Sequence, residues 1–284
     1  MTQRERQLLR WIEENPLISQ QELADKAGIA RSSVAVHISN LMKKGHIAGK
    51  GYIVSTAPYA VVVGGVNMDI GGVSSAPLVR ADSNPGVVHM SLGGVGRNIA
   101  HNLALLGVDT RLLTAFGDDG HAQRIAASCG ELGIDISRAL QVPGERTSTY
   151  LFIAGETGEM ELALSDMEIY RHITPAFLAS RAPLLQNAQL VIVDANIPAD
   201  AIAWLAQHVK PPIFADPVST AKGSKLRPVL GKLHTLKPNR LEAQLLSGVE
   251  IQDEASLDRA ADKLLETGLR RVFISLGGDG VLAA

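Results

Sequence analysis

From residue 59 to residue 275 short apolar runs alternate with segments of helical periodicity, and this alternation constrains the fold more than any other feature of the chain. Runs at 59–63, 111–115, 190–193, 213–215, near 234–236 and at 271–275 read as strands. Segments 98–106, 121–132, 199–208, 240–246 and 256–266 carry apolar residues three and four apart and read as helices. Strands that are apolar on both faces and separated by helices pair in parallel, with helices covering each side of the sheet. Two segments break the rhythm. Residues 70–90 and 147–166 have the pattern of extended strands with hairpin turns, and are expected to form a small separate sheet, a lid over a site.

The first 58 residues follow a different rule. Residues 3–15 carry Leu8, Leu9 and Ile12 on one helical face, and Pro16 ends that helix. Ser19 with Glu22 three residues on has the spacing of a capping box, and the helix it starts stops at Gly28. A third helix runs from near Ala30 to Lys43-Lys44-Gly45, and residues 46–54 read as two short strands around a Gly-Lys-Gly turn. Charge divides at the same place. This head holds eight Lys/Arg against five acids, and the remainder 19 against 24, within an overall net charge of -2. Three helices and a hairpin resemble the winged helix-turn-helix family, over 1–56. The resemblance implies that Arg31, Ser32, Ser33 and His37 face DNA bases or phosphates and that Lys43, Lys44 and Lys50 meet phosphates, with operator DNA as partner. The plainer alternative is that these residues are the solvated face of a small helical domain.

The single Cys129 excludes a disulfide framework and sits in an Ala/Ile-rich helical pattern, as a small buried hydrophobe does. The N-terminus lacks an apolar signal core and no run reaches about 18 consecutive apolar residues. A cytoplasmic protein with no membrane partner is expected. His89, His101, His121, His172, His208 and His234 have no metal-ligand spacing and read as structural or surface residues.

Chemistry concentrates at four glycine- or carboxamide-rich places. Asn67-Met68-Asp69 follows the first strand. Gly93-Gly94-Val95-Gly96-Arg97-Asn98 opens a helix, where glycines admit a close ligand and the helix start offers N–H groups to it. Lys237-Pro238-Asn239-Arg240-Leu241-Glu242 opens another. Ser275-Leu276-Gly277-Gly278-Asp279-Gly280 follows a late strand. The glycine cluster is neither a Walker loop, lacking the Gly-Lys-Ser/Thr that closes one, nor a dinucleotide fingerprint, lacking its third glycine.

The set and its order resemble the PfkB (ribokinase-like) sugar and nucleoside kinases, over residues 59–284. Ala81–Gly86, Gly93–Ala100, Val142–Glu145, Asp216–Ser219 and Leu236–Ala243 are most similar to the pseudouridine kinase branch. The resemblance implies a three-layer α/β sandwich of ribokinase type with a small β lid, and transfer of the ATP γ-phosphate to a ribose 5-hydroxyl with Mg2+. It also implies a homodimer formed through the lid. Asn67, Asp69, Gly93, Gly94 and Asn98 would carry the ribose, and Asn84, Thr149 and Asp166 the base. Asn239, Ser275, Gly277, Gly278 and Gly280 would hold the nucleotide, with Glu242 and Asp216 near the metal. Bland roles compete: Asp69 as a turn cap, Glu242 as a first-turn acid favoured by the helix dipole, Asp166 as an exposed hairpin-end acid.

The family's Asp-Thr-x-Gly-Ala-Gly-Asp stretch is not among the 284 residues. No catalytic general base is therefore identified, and a shortened kinase domain (59–284) with little or no turnover is the expectation. A transcription regulator whose kinase-like body senses a nucleoside is the alternative.

Overall fold

The protein is described by a computed structural model covering residues 1–15, 17–47 and 58–284. It divides into two compact units, Met1–Thr56 and Ala57–Ala284.

In the first unit α1 (Gln3–Glu14), α2 (Gln20–Ala27) and α3 (Arg31–Lys43) surround Leu8, Leu23, Ala24, Val34 and Ile38. Capping boxes start the first two, Thr2 with Glu5 and Ser19 with Glu22, and Gly28 ends α2 in the left-handed region. Glu5 is buried because Lys44 Nζ reaches it at 2.7 and 2.9 Å while Thr2 N donates to it at 2.6 Å. These bonds pull the Glu5 carboxyl down to about 2, with the Lys44 bond the largest cause. Lys44, expected on a DNA phosphate, is thus turned onto its own unit. Arg31, Ser32 and Ser33 are exposed on the first turn of α3, His37 is half-buried, and Lys43 is exposed. The expected hairpin at 46–54, including Lys50, lies almost wholly outside the described residues.

In the second unit the described strands are β1 (Tyr59–Val63), β2 (Asn67–Ser74), β3 (Gly86–Gly93), β4 (Asp109–Leu113), β5 (Ala115–Phe116), β6 (Leu140–Gln141), β7 (Thr149–Ala154), β8 (Met160–Asp166), β9 (Leu190–Asp194), β10 (Ile213–Asp216), β11 (Thr235–Leu236), β12 (Arg271–Ser275) and β13 (Val281–Ala283). Seven form the main sheet in the order β13-β12-β11-β10-β9-β1-β4, parallel except for β13. Period-two alternation divides its side chains between two cores. Val61, Val63, Leu113, Val191 and Val193 enter one, and Val62, Leu112 and Ile192 the other. The fold is the expected mainly parallel α/β sandwich.

The lid is a second sheet, β3-β2-β7-β8, built from the two segments that broke the alternation. Three boundaries differ from expectation. The first helix after the glycine cluster, α4, runs Val95–Leu105 and takes Val95, Gly96 and Arg97 of the glycine loop into its first turn. The run at 111–115 splits into β4 and β5, because β5 leaves the main sheet to pair with β6. Short helical turns at Glu168–His172, Pro175–Ala179, Ala182–Gln186 and Thr220–Gly223, and a longer one at Ser224–Lys232, fill stretches with no clear period. Among the described residues no helix is long and apolar enough to cross a membrane.

Candidate active site

Chain order reverses at β1: β4 lies on one side of it, and β9 to β12 follow on the other. In open α/β sheets ligands bind outside the carboxyl ends of the strands at such a reversal. Here Gly64-Gly65 follows β1, and Asp194 ends β9.

Asp194 organises this place. It is fully buried, and its carboxylate accepts from Gly65 N at 2.8 Å, Gly96 N at 2.6 Å and Asn196 N at 2.9 Å. Burial pushes its pKa up, and these backbone donors oppose the push. The sequence reading missed it, although an acid closing an otherwise apolar strand, Val191-Ile192-Val193-Asp194, is a readable anomaly. The arrangement also corrects the expectation for the glycine loop. The first-turn N–H groups of Gly96 and Arg97 are taken by Asp194 and by Gly65 O, the latter at 3.0 Å, so they dock α4 against β1 and β9. A Cβ on Gly96 would press on the Gly64 backbone at 2.8 Å, which explains why the loop needs a glycine there.

The sugar residues come together on β2. Asn67 donates to Asp69 Oδ1, and burial raises the Asp69 pKa while this bond opposes it. Register places Gly93 opposite Asn67 and Ser91 opposite Asp69. A side chain on Gly93 would overlap the Asp69 carboxylate, so this glycine makes room for a carboxylate as well as for a ligand. Asn98 is exposed on the first turn of α4.

The three residues proposed for a base do not join this group. Asn84 spends its carboxamide on its own turn, accepting from Val79 N at 2.7 Å and donating to Val79 O and Asp82 O at 3.0 Å. This is the local bonding that asparagine favours in loops. Thr149 and Asp166 pair across β7 and β8, one strand position away from Tyr150 and Ser165, which align with Asp69. Because strand side chains alternate, they point to the opposite face of the lid. There they line a hollow of about 510 Å3 with Asp119, His121 and Arg146. The face that carries Asp69 instead carries His89, Tyr150 and Phe152. The His89 and Phe152 rings meet edge to face at 5.8 Å, and Tyr150 lies 6.1 Å from Phe152. Gly71 lies beneath the His89 and Phe152 rings, each of which a Cβ there would hit. Counting by twos from Asp69 along β2 identifies this face only once the pairing of β2 with β3 and β7 is known.

At the other end of the same strand edge, Asn239 caps the helix Arg240–Ser247. Its Oδ1 accepts from Glu242 N at 2.9 Å, and Glu242 Oε2 accepts from Asn239 N at 2.8 Å. Glu242 is therefore the first-turn acid of the plainer reading, and one oxygen remains beyond that capping bond. Burial pushes Glu242 up, and the Asp216 charge adds to the push. Asp216 accepts from Val218 N at 2.8 Å and lies 3.6 Å from Lys237 Nζ. Val218 holds a φ of +67, a rare conformation for a β-branched residue and one that marks a turn held by its surroundings. Two neighbouring carboxylates whose charges disfavour each other form a hard-oxygen set that suits Mg2+ bound through water. Ser275 bridges to Asn239, and Gly277, Gly278 and Gly280 bound open space.

The pattern of the pfkB family of carbohydrate kinases matches residues 57–284. The chain belongs to this family. The pattern of winged helix-turn-helix DNA-binding domains matches residues 1–47, and the helical first unit is of that kind. Over 284 residues the pfkB chain is 41% identical to the uncharacterized sugar kinase YeiI of Escherichia coli (strain K12), covering 99% of this chain and 78% of that protein. It is 43% identical over 224 residues to the pseudouridine kinase of the same organism, covering 78% and 72%. A putative sugar kinase from Clostridium perfringens superposes with a TM-score of 0.69 at 34% identity, covering 81% of this chain and 73% of that one. A ribokinase of Arabidopsis thaliana, solved with ribose and ATP, has the same fold, with a TM-score of 0.71, 23% identity, and 80% and 75% covered. This pfkB chain is thus a phosphotransferase of the sugar and nucleoside kinase type, an ATP-using family.

Proposed function

We propose that the protein is an ATP- and Mg2+-dependent nucleoside kinase acting on the ribose 5-hydroxyl of pseudouridine. The observation that carries this reading is the lid face on which Asp69 continues into Tyr150, Phe152 and His89. A bare sugar needs the carboxylate alone, whereas a nucleoside also needs a flat apolar surface against which its base stacks. The 43% identity with a pseudouridine kinase supports the choice of base.

Phosphoryl transfer asks mostly for positioning and charge neutralisation. Asp69, acting as an acceptor, holds two vicinal ribose hydroxyls, and Asn67 and Asn98 supply donors. The 5-hydroxyl oxygen forms the new bond to the γ-phosphorus as the bond to the β-phosphate oxygen breaks and ADP leaves. Asp216 and Glu242 would hold a Mg2+ ion, whose chemistry there would be to offset the negative charge of the phosphates. Lys237 adds a cation beside Asp216. Among the described residues none is assigned the proton of the 5-hydroxyl.

The lid's other face is apolar and exposed at Val88, Met90, Leu162 and Leu164, which supports a homodimer formed there. The winged-helix unit favours a second reading, a nucleoside-sensing regulator of operator DNA. Calorimetric titration of the chain with pseudouridine, uridine and ribose, followed by a phosphotransfer assay with labelled ATP, tests both. Pseudouridine binding at least about tenfold tighter than ribose supports the nucleoside reading, and equal affinities refute it. Binding with no transfer, together with nucleoside-dependent DNA affinity, would favour the regulator.

A further inference from the structure

Behind the sugar loop, in the turns that follow β10, two lysines face inward, and the reaction outlined above uses neither. Lys225 Nζ donates to Ala195 O at 2.7 Å and Ile197 O at 2.9 Å, which staples the turn after β9. Lys222 Nζ donates to Asn196 Oδ1 at 2.6 Å and lies 2.9 Å from Met167 Sδ, a weak acceptor. Burial pushes both ammonium groups below the usual lysine range, and the Asp194 charge opposes that push in each. Two half-buried cations therefore stand against one buried carboxylate. Such an arrangement is costly, and an apolar side chain would serve stability as well. The Lys225 bonds account for its charge. Those of Lys222 do not, unless Asn196 matters.

An ammonium only donates, so Asn196 turns its carbonyl oxygen to Lys222 and its NH2 the other way. The Asn196 backbone N–H donates to Asp194 Oδ1 at 2.9 Å. The amide stands where a side chain on Gly65 would be, with Nδ2 2.8 Å from that point. Asp194 in turn holds the N–H groups of Gly65 and Gly96. Contacts thus run from one ammonium, through Asn196 and Asp194, to both glycine turns.

We propose that Lys222 is a positioning residue for the sugar: by fixing Asn196, whose backbone N–H holds Asp194, it sets the two glycine turns between which Asn67 and Asp69 receive the substrate hydroxyls. This rests on the nucleoside kinase reading, and extends it to a residue that need not touch the reacting atoms.

The test is titration of the full chain and its variants with pseudouridine and with ATP, alongside thermal melting. Lys222→Met is expected to weaken pseudouridine binding about tenfold and leave ATP binding within about threefold, because Asn239 and Glu242 are untouched. Lys222→Arg, which keeps the charge and the donors, is expected to recover most of the loss. If Lys222 acts through Asn196, the double variant Lys222→Met/Asn196→Leu binds no worse than the weaker single variant. A Lys222→Met protein that melts lower but binds pseudouridine as the unsubstituted chain does would overturn the proposal. Should Lys222→Met not fold, Asn196→Leu is read in the same titration, and unchanged binding there refutes the relay. An unsubstituted chain that binds ATP and ribose but not pseudouridine refutes the nucleoside reading alone, and the variants are then compared with ribose.

Discussion

Gly93→Ala isolates the role of one carboxylate by adding a single carbon. Gly93 is buried and is not among the glycines with positive φ, so alanine brings no backbone strain. Its new methyl would overlap Oδ2, Cγ and Oδ1 of Asp69, and nothing else lies among the three nearest atoms. The carboxylate must therefore swing away, giving up its bond from Asn67. That costs folding about 1 kcal/mol, the usual net value of one hydrogen bond. The cost to binding is larger. Two hydroxyl bonds to a charged acceptor are worth about 3 kcal/mol together at the low end of their range, or on the order of a hundredfold in Kd. Isothermal titration with pseudouridine reads the loss, and titration with ATP serves as control. Because the methyl acts only through Asp69, Gly93→Ala should add nothing to Asp69→Ala in the double variant. Pseudouridine affinity within about threefold of the unsubstituted chain would refute the reasoning.

Three further outcomes are expected. Burial raises the Asp69 pKa, so nucleoside affinity should begin to fall at a pH above the ordinary aspartate range, as the acceptor becomes protonated. The same shift has the opposite sign for folding: Asp69 disfavours the fold at neutral pH, and that penalty fades as pH drops through its raised value, so affinity and melting temperature should move apart on acidification. Asp194→Ala strands three N–H groups, two of them fully buried, and should destabilise the kinase unit by about 3 kcal/mol in urea unfolding, with Asp194→Asn intermediate; a change under about 1 kcal/mol would show that Asp194 does not hold the loops. Glu5→Gln should lower the melting temperature of the helical unit at pH 7. The depressed Glu5 value means this contribution is present above the ordinary glutamate range and lost as pH falls toward about 2, so the variant and parent should converge in acid.

The two groups expected to hold sugar and nucleotide were legible as clusters, since the fold brings the members of each together. Asn67, Asp69 and the Gly93-Gly94 pair lie together at the end of β1, and Asn239, Glu242 and Ser275 along β11 and β12. The residues proposed here to stack on the base were not legible, because face depends on register. Thr149 and Tyr150 are neighbours in the chain and point to opposite sides of the lid, and only the pairing of β7 with β2 says which of them shares a side with Asp69. Asn84 looked free until its loop closed on it. Lys44 looked like a surface cation until α1 brought Glu5 under it.

The sequence by itself determined the alternation, hence the parallel sheet, the two cores and the helical head, because periodicity and capping act over a few residues. It also determined which glycines open which turns. Only the tertiary structure decided what those turns are tied to. Asp194 and Lys222 are 98 and 126 residues beyond Gly96 in the chain, and nothing local to either marks it as part of the sugar loop. Burial and hydrogen bonding across that separation gave them their roles, since an ionised group in the interior takes its meaning from the partners the fold brings to it.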